Sequence, residues 1–509
     1  MKELFESYKC EFCAFLKNKK IVVFIILTVI LSYGFYITNI SIGIDDLSLD
    51  RYVSDTYILS QGRWGTFIIY NLLRITEFAP LWLDFITILV LFFTSIVCIT
   101  FLKRISNSKI KNSSYIIFVT AFISCPVISY FFVYQPTKLT VALSNLLAIV
   151  IGIIIYENFM KNLNEKIRFK NIRFVLVLAL ILTFANSMYE SCAQTFVVFV
   201  FAITFLHIVF SENNLDLKQI FKYWFYSFLC LLFSVILYEL IKILLVFILD
   251  KLNLLKVNGA SDTSLFYVLE DCMNLSVIKN VLLNKVENLF SNKLTIYFLC
   301  ICLIGLIFAV KETIKRKNKS LILIYIFMVL SNFLLIFYLK DNLYRVCYSW
   351  VLTIALFLVF ANELLYSKKS IIITAVIGYV ILMQTQVINK IFYKEYLAYE
   401  NSCNYLNYVM GLVLEIDESL EKPILFIDED LFSQMETVSE IKFNYLEWGI
   451  SAFEEHGVEM KKFLENMGYN INIVDYYEEC IEIFEETISE ENKEVVIDFE
   501  DFIAVRIDI

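Results

Sequence analysis

KNKKIVVFIILTVILSYGFYITNISIGIDD, residues 17–46, is the stretch that decides the fold. Its centre, 21–40, is predominantly apolar and carries no charge. A bilayer core about 30 Å thick is crossed by about 20 helical residues, so the segment reads as a membrane span. It is long, lacks a small-residue cleavage site and is followed by further apolar segments, so it does not read as a cleaved leader. Lys17, Lys19 and Lys20 precede it. Positive charge before a span holds that end in the cytoplasm. Asp45 and Asp46 therefore emerge on the outer face, at the boundary between membrane and water.

The rest of the chain repeats the pattern. It has 509 residues, of which 59% are hydrophobic, and a mean hydropathy of +0.69. No soluble fold of this length needs that much apolar surface. Eleven spans are expected, over 21–40, 81–102, 115–133, 139–157, 174–189, 195–211, 223–249, 294–310, 321–338, 349–366 and 370–387. The last carries Gln384 and Gln386 near its end and is the least regular. Basic clusters fall at Lys103/Arg104/Lys109/Lys111, Lys161/Lys166/Arg168/Lys170/Arg173, Lys218/Lys222, Lys311/Lys315/Arg316/Lys317/Lys319 and Lys368/Lys369. Each lies in an even-numbered gap between spans, hence inside. The reading is an all-α polytopic protein of the plasma membrane. Its N-terminus is cytoplasmic, and its C-terminal domain is small, α/β and extracytoplasmic.

Charge divides the chain in two. Residues 390–509 hold 29 Asp and Glu against 8 Lys and Arg, a net of −21 within a total of −9. The domain division expected is 1–389 for the membrane part and 390–509 for the acidic part. An acidic tail is repelled by an anionic membrane surface and stands off in solvent, which argues against nucleic acid as a partner. Within it, Pro423–Ile427, Asn470–Val474 and Glu494–Val505 read as strands. Ser451–Met467 reads as a helix stopped by Gly468.

The twelve cysteines do not suggest a scaffold. Cys10 and Cys13 form a C-x-x-C without the second pair that zinc would want. Cys98, Cys125, Cys230, Cys300 and Cys302 read as small apolar packing groups within spans. Cys192, Cys272, Cys347, Cys403 and Cys480 face outward, and the sequence assigns no disulfide pairs among them.

Three outer segments exceed a simple turn: 41–80, 250–293 and the tail. Function is expected there, since the inner connections are mostly short and basic. Thr66–Phe78 and Val277–Phe290 are amphipathic and too short and charged to span, which fits helices lying in the interface. Two such helices could cradle a lipid-linked substrate, or merely connect spans.

The first outer loop concentrates the chemistry. Asp45-Asp46 is followed by Asp50-Arg51, Asp55 and Gln61-Gly62-Arg63-Trp64-Gly65. A carboxylate within hydrogen-bond reach can take the proton of a hydroxyl nucleophile. A second can orient that nucleophile or hold a divalent cation such as Mg or Mn. Arg51, Arg63 and Arg345 are outer-face candidates for a phosphate, which arginine holds through bidentate, charge-assisted hydrogen bonds. Trp64 offers a flat face for a sugar ring or an interfacial anchor. Asp84, near the start of span two, and Lys138, in the turn after span three, could line the same cavity.

This arrangement resembles the Gtr-type glucosyltransferase family. The resemblance rests on Asp45-Asp46 after span one, the Gln61-Gly62-Arg63-Trp64 segment, a single arginine (Arg345) in the outer turn before a late span, and the terminal Phe502-Ile503-Ala504-Val505-Arg506-Ile507. These are serotype-converting, O-antigen-modifying membrane enzymes, similar in plan to the GT-C glycosyltransferases. The resemblance implies an inverting transfer of glucose or a related sugar from a polyprenyl-phosphate donor to a surface glycan. Asp45 or Asp46 would then be the base, and Arg63 and Arg345 would lie near the phosphate. The family's outer turn after span five often carries Tyr-Gln. Here Tyr189 is followed by Glu190, with Gln194 further on.

Polar groups inside spans offer a competing reading. Glu239 and Lys242 are three residues apart on one helix, and charges within a membrane are costly and often functional. A transporter or lipid-linked glycan flippase would use such a pair. Lys242 could equally snorkel, and His207 reads as a packed histidine. Transporters also favour broken helices and internal repeats around a midplane site. Here no repeat is visible, glycine totals 12 and proline 4, and the acids cluster at the surface, which favours the enzyme. A third reading, a non-catalytic scaffold presenting the acidic tail, expects nothing from neutralising Asp45 and Asp46.

Overall fold

The computed structural model describes residues 2–41, 57–75, 80–161, 169–211, 217–254, 293–335, 346–364, 370–427, 458–474, 480, 495–499 and 501–506. It divides into two units. The first comprises Met1–Ile37 and Asp50–Asn389, the second Thr38–Leu49 and Lys390–Ile509.

The first unit is helical. In chain order its elements are α1 (Lys2–Leu16), α2 (Lys19–Thr38), α3 (Tyr57–Ser60), α4 (Trp64–Leu73), α5 (Pro80–Ile105), α6 (Asn112–Ile123), α7 (Val127–Phe132), α8 (Gln135–Lys161), α9 (Phe169–Met188), α10 (Ser191–Phe210), α11 (Leu217–Lys251), α12 (Lys293–Arg316), α13 (Ser320–Ser331) and α14 (Tyr348–Leu364). A further helix, α15 (Ser370–Ile416), begins here and runs on into the second unit. Among the described residues, seven helices are long and apolar enough to cross a membrane: α2, α5, α8, α10, α11, α12 and α15. Shorter apolar helices include Asn112–Ile123, Ile172–Met188, Ser320–Ser331 and Tyr348–Leu364. The chain is a membrane protein built of helices.

The third expected span, 115–133, is not one helix. α6 stops at Ile123, and α7 starts at Val127. Pro126 lies in the gap; it has no N–H to donate and disfavours helical backbone in the residue before it. The span expected over 370–387 is the start of the much longer α15. Gln384 is buried there, accepting from the Ser124 hydroxyl at 2.9 Å and donating to Tyr297 Oη at 2.7 Å. An interhelical polar contact explains a glutamine where hydropathy alone would place leucine.

Polar contacts show which helix ends lie together. At one end, Arg104 on α5 meets Glu157 on α8 (3.6 Å) and Glu11 on α1 (3.2 Å). Lys111 Nζ donates to the Asn362 carbonyl at the close of α14 (2.9 Å), and Arg316 on α12 donates to the Val209 carbonyl on α10. Arg104, Lys111 and Arg316, from two of the basic clusters read from the sequence, thus lie at one end. At the other end, Tyr36 on α2 meets Gln135 on α8, and Gln194 at the start of α10 ties down the close of α13 and the start of α14. Lipid-sized apolar surface covers the flanks: Val177, Leu180, Phe228 and Leu240 are all more than half exposed.

The second unit contains a three-stranded sheet of order β1-β3-β2, with β1 (Ile424–Ile427), β2 (Val496–Asp498) and β3 (Ile503–Arg506). β1 pairs parallel with β3 (Ile424 opposite Ile503), and β2 antiparallel with β3 (Val496 opposite Val505). The expected strand over 494–505 is therefore a hairpin, and the expected strand at 470–474 reduces to a bridge between Ile473 and Ile424. The helix α16 (Val458–Asn466) ends at Gly468, whose φ of +99° closes a helix-terminal loop with Tyr469 N donating to Leu464 O at 2.9 Å. One face of the sheet buries Ile424, Ile503 and Val505 with Leu406, Val409 and Val413 of α15 and Phe463 and Leu464 of α16. Asp417 accepts from Lys422 N and from Ser419, contacts that hold its carboxylate below the usual range.

Candidate active site

The site is built around a short helix that lies across the ends of longer ones. α3 is a single turn closed by Gly62. Gly62 N donates to Leu59 O (3.0 Å) and Arg63 N to Ile58 O (3.1 Å), the paired bonds of a glycine-terminated helix. The turn needs φ of +81° at residue 62. Space requires glycine as well, since a Cβ there would lie 2.8 Å from Tyr238 Oη and 2.9 Å from Lys242 Cδ on α11. The chain then enters α4 with Arg63 at its start.

α4 is fixed on two sides. The Thr66 hydroxyl donates to Met188 O at the end of α9 (2.9 Å), and Tyr70 Oη to Gln135 O at the start of α8 (3.5 Å). Gly65 permits the first contact. A Cβ at that position would come within 2.4 Å of Ser187 Oγ and 3.0 Å of Met188 N. The helix presents Ile68, Leu72 and Leu73 outward, as an interfacial helix would. It covers 64–73, shorter than the expected 66–78; Arg74 in left-handed backbone ends it.

Arg63 lies over the Tyr189 ring, Cζ 5.2 Å from the centroid, and Nε stands 3.8 Å from Glu190 Oε1. This brings together two residues marked in the sequence, Arg63 and Tyr189, and adds Glu190, which the sequence had noted only as a departure from Tyr-Gln. Both side chains are partly exposed, so their pairing is loose and open to exchange with another anion. Trp64 is less open than the sequence suggested. Its ring packs on Phe184 of α9 at 5.7 Å. Its Nε1 is buried without a hydrogen-bond acceptor among the described residues.

Asp84 and Lys138 meet each other. The first turns of α5 and α8 bring them into a hydrogen-bonded ion pair, with side-chain exposures of 4% and 0%. The Lys138 ammonium also lies 5.0 Å from the Phe132 ring centroid and 5.6 Å from that of Tyr36. A charge so enclosed needs its partner, which gives Asp84 and Lys138 a structural reason to be there. Tyr36 and Gln135 tie this pair to α4: Gln135 Nε2 donates to Tyr36 Oη at 3.2 Å, and the Gln135 carbonyl accepts from Tyr70. Neither had been singled out, because their polar contacts join residues far apart in sequence.

Among the described residues Glu239 and Lys242 do not form an ion pair. Lys242 is buried against Gly62 instead. His207 is buried, with Nδ1 2.7 Å from Tyr156 Oη. Cys192 and Cys403 are free thiols. No cluster of three or more His, Cys, Asp or Glu suited to a metal occurs among the described residues. Asp45, Asp46, Arg51, Asp55, Arg345 and the expected helix at 277–290 lie outside the described residues.

Helices of membrane-crossing length that carry an interfacial helix and an arginine-bearing turn at one end suit a membrane enzyme acting on a substrate at the bilayer surface. The model of the family described as glucosyl transferase GtrII matches residues 34–349, from the last turns of α2 to the first residues of α14. The chain belongs to that family and is a membrane glycosyltransferase. No curated protein and no solved structure matches it.

Proposed function

We propose that this protein moves glucose or a related sugar from a polyprenyl-phosphate donor to a cell-surface glycan on the outer face of the plasma membrane, with inversion at the anomeric carbon. The observation that carries the reading is the seating of Gln61-Gly62-Arg63-Trp64, within the family match, at the end of the helices opposite Arg104, Lys111 and Arg316. Positive charge stays in the cytoplasm, so that opposite end faces outward and meets lipid headgroups.

Arg63 would receive the donor phosphate by exchanging Glu190 for the phosphodiester anion, whose second charge develops as the sugar leaves, and Arg345 would add a second guanidinium. The Trp64 indole N–H supplies a donor beside them. Asp45 or Asp46 takes the acceptor hydroxyl's proton as its oxygen bonds to the anomeric carbon. The bond from that carbon to the phosphate oxygen breaks, and polyprenyl phosphate leaves with the electron pair. The same two acids are where a divalent cation would be held, though no step requires one. Asp84 and Lys138 would shape the cavity through their pair. The family match favours this over a flippase.

The test is the mass of the surface glycan in cells with and without the gene. A hexose present only with the gene is expected. Asp45→Asn and Asp46→Asn each insert normally, and at least one abolishes the addition. Normal modification by both single variants would remove the catalytic assignment.

A further inference from the structure

At the basic end of the helices, far from the proposed active site, α8, α9 and α11 enclose a half-open notch lined by Asn158, Phe159, Phe174, Lys222 and Tyr226. We infer that this notch is a binding site for the phosphate headgroup of an anionic phospholipid.

Lys218, Lys222 and Tyr226 recur every fourth residue on α11, so they form one ridge. The Lys222 ammonium sits 5.9 Å from the Phe159 ring centroid, at the notch. Tyr226 is buried, yet its hydroxyl has no hydrogen-bond partner among the described residues. A buried hydroxyl without a partner is costly, and a phosphate oxygen reaching it would remove that cost. The Asn158 amide adds a third polar group. A cation, an orphaned hydroxyl and an amide around one opening are a set that suits an oxyanion.

The surroundings select a lipid over a soluble anion. Phe159, Phe174, Ile155 and Val175 make the walls apolar. Beyond the opening, Val177 and Leu180 on α9 and Phe225 and Phe228 on α11 are exposed hydrophobics, along which acyl chains can lie. The approach is basic in sequence as well, with Lys161, Lys166, Arg168, Lys170 and Arg173 between and on the flanking helices. Basic pockets between helices on the cytoplasmic side are a recognised setting for anionic headgroups. The inference uses no residue of the sugar-transfer reading and stands or falls apart from it.

The full-length protein, purified in mild detergent, is exchanged into phosphatidylglycerol or phosphatidylcholine, and retained lipid is counted by native mass spectrometry. Wild type is expected to keep phosphatidylglycerol preferentially. Lys222→Met, which keeps the aliphatic packing, lowers retention about fivefold, the worth of one lysine at an anionic surface. Tyr226→Phe, which removes only the oxygen, lowers it about tenfold, as for a hydrogen bond to a charged group. Gel filtration confirms that both variants are folded. The inference is overturned if wild type shows no preference, if both folded variants retain lipid as wild type does, or if inorganic phosphate displaces the lipid at equal concentration.

Discussion

Removing one member of the Asp84–Lys138 pair tests the packing of the site most directly. Asp84→Asn keeps the shape and a hydrogen-bond acceptor but takes the Asp84 carboxylate away from a lysine with no exposed side-chain surface. Two magnitudes compete. Ordinary interhelical hydrogen bonds in membranes average about 0.6 kcal/mol, because the separated helices find other partners. Breaking a buried ion pair by deleting one partner costs about 3–5 kcal/mol, because the remaining charge is stranded. The burial decides for the second, since neither water nor headgroup reaches the ammonium. Asp84→Asn and Lys138→Met should therefore each lower stability by about 3 kcal/mol or more, roughly a hundredfold in the unfolded fraction. The double variant Asp84→Leu/Lys138→Met removes both charges and should recover most of the loss, because a well-packed apolar pair is often as stable as a buried ionic one. Heat challenge in detergent followed by gel filtration ranks the four proteins. Single variants within about 0.5 kcal/mol of wild type, or a double variant no better than the worse single, would refute the reasoning. Sugar transfer by the recovered double variant then separates roles. Retained activity makes the pair a strut between α5 and α8; activity lost with stability restored makes it part of the substrate cavity.

Gly65→Ala should detach α4 from α9, since Met188 N at 3.0 Å from the new Cβ is helix backbone and cannot move aside. About 1–3 kcal/mol of stability is lost, most of the sugar transfer goes with it, and unchanged heat resistance would show that the contact is not as tight as described. Gln194→Ala strands the Ser349 hydroxyl and the Leu335 N–H and leaves the Asn332 carbonyl with Trp350 Nε1 alone, at a cost of about 2 kcal/mol or more read by the same heat challenge. Arg63→Lys keeps the charge but loses the flat stack on Tyr189 and the fork for phosphate, so transfer should fall at limiting donor and recover partly at excess. A variant as active as wild type at limiting donor would remove Arg63 from the phosphate's path.

How far the sequence carried the structure depended on the range of the forces involved. Hydropathy is local and strong, so helices appear where apolar runs were read, and α5 begins at Pro80 as the helix-starting role of proline suggests. The break at Pro126 was readable in principle, but an apolar window of twenty residues averages over one proline. Gln384 looked anomalous only because its partners, Ser124 and Tyr297, are distant in sequence.

The site divides along the same line. Arg63 and Tyr189 carry chemistry visible in the residue itself, and the fold places one over the other. Thr66, Gly65, Tyr36 and Gln135 are ordinary residues whose meaning comes from a partner on another helix. A glycine reads as a loop former until Ser187 Oγ and Met188 N, standing where a Cβ would need room, show that it is a contact surface. Trp64 errs in the opposite direction. Its flat face looked available for a sugar, yet a single phenylalanine on α9 takes part of that face and leaves the indole N–H as the group still seeking a partner. On the proposed function, a sugar hydroxyl or phosphate oxygen near Arg63 would satisfy that donor, and Trp64 would then serve through its edge and not its face.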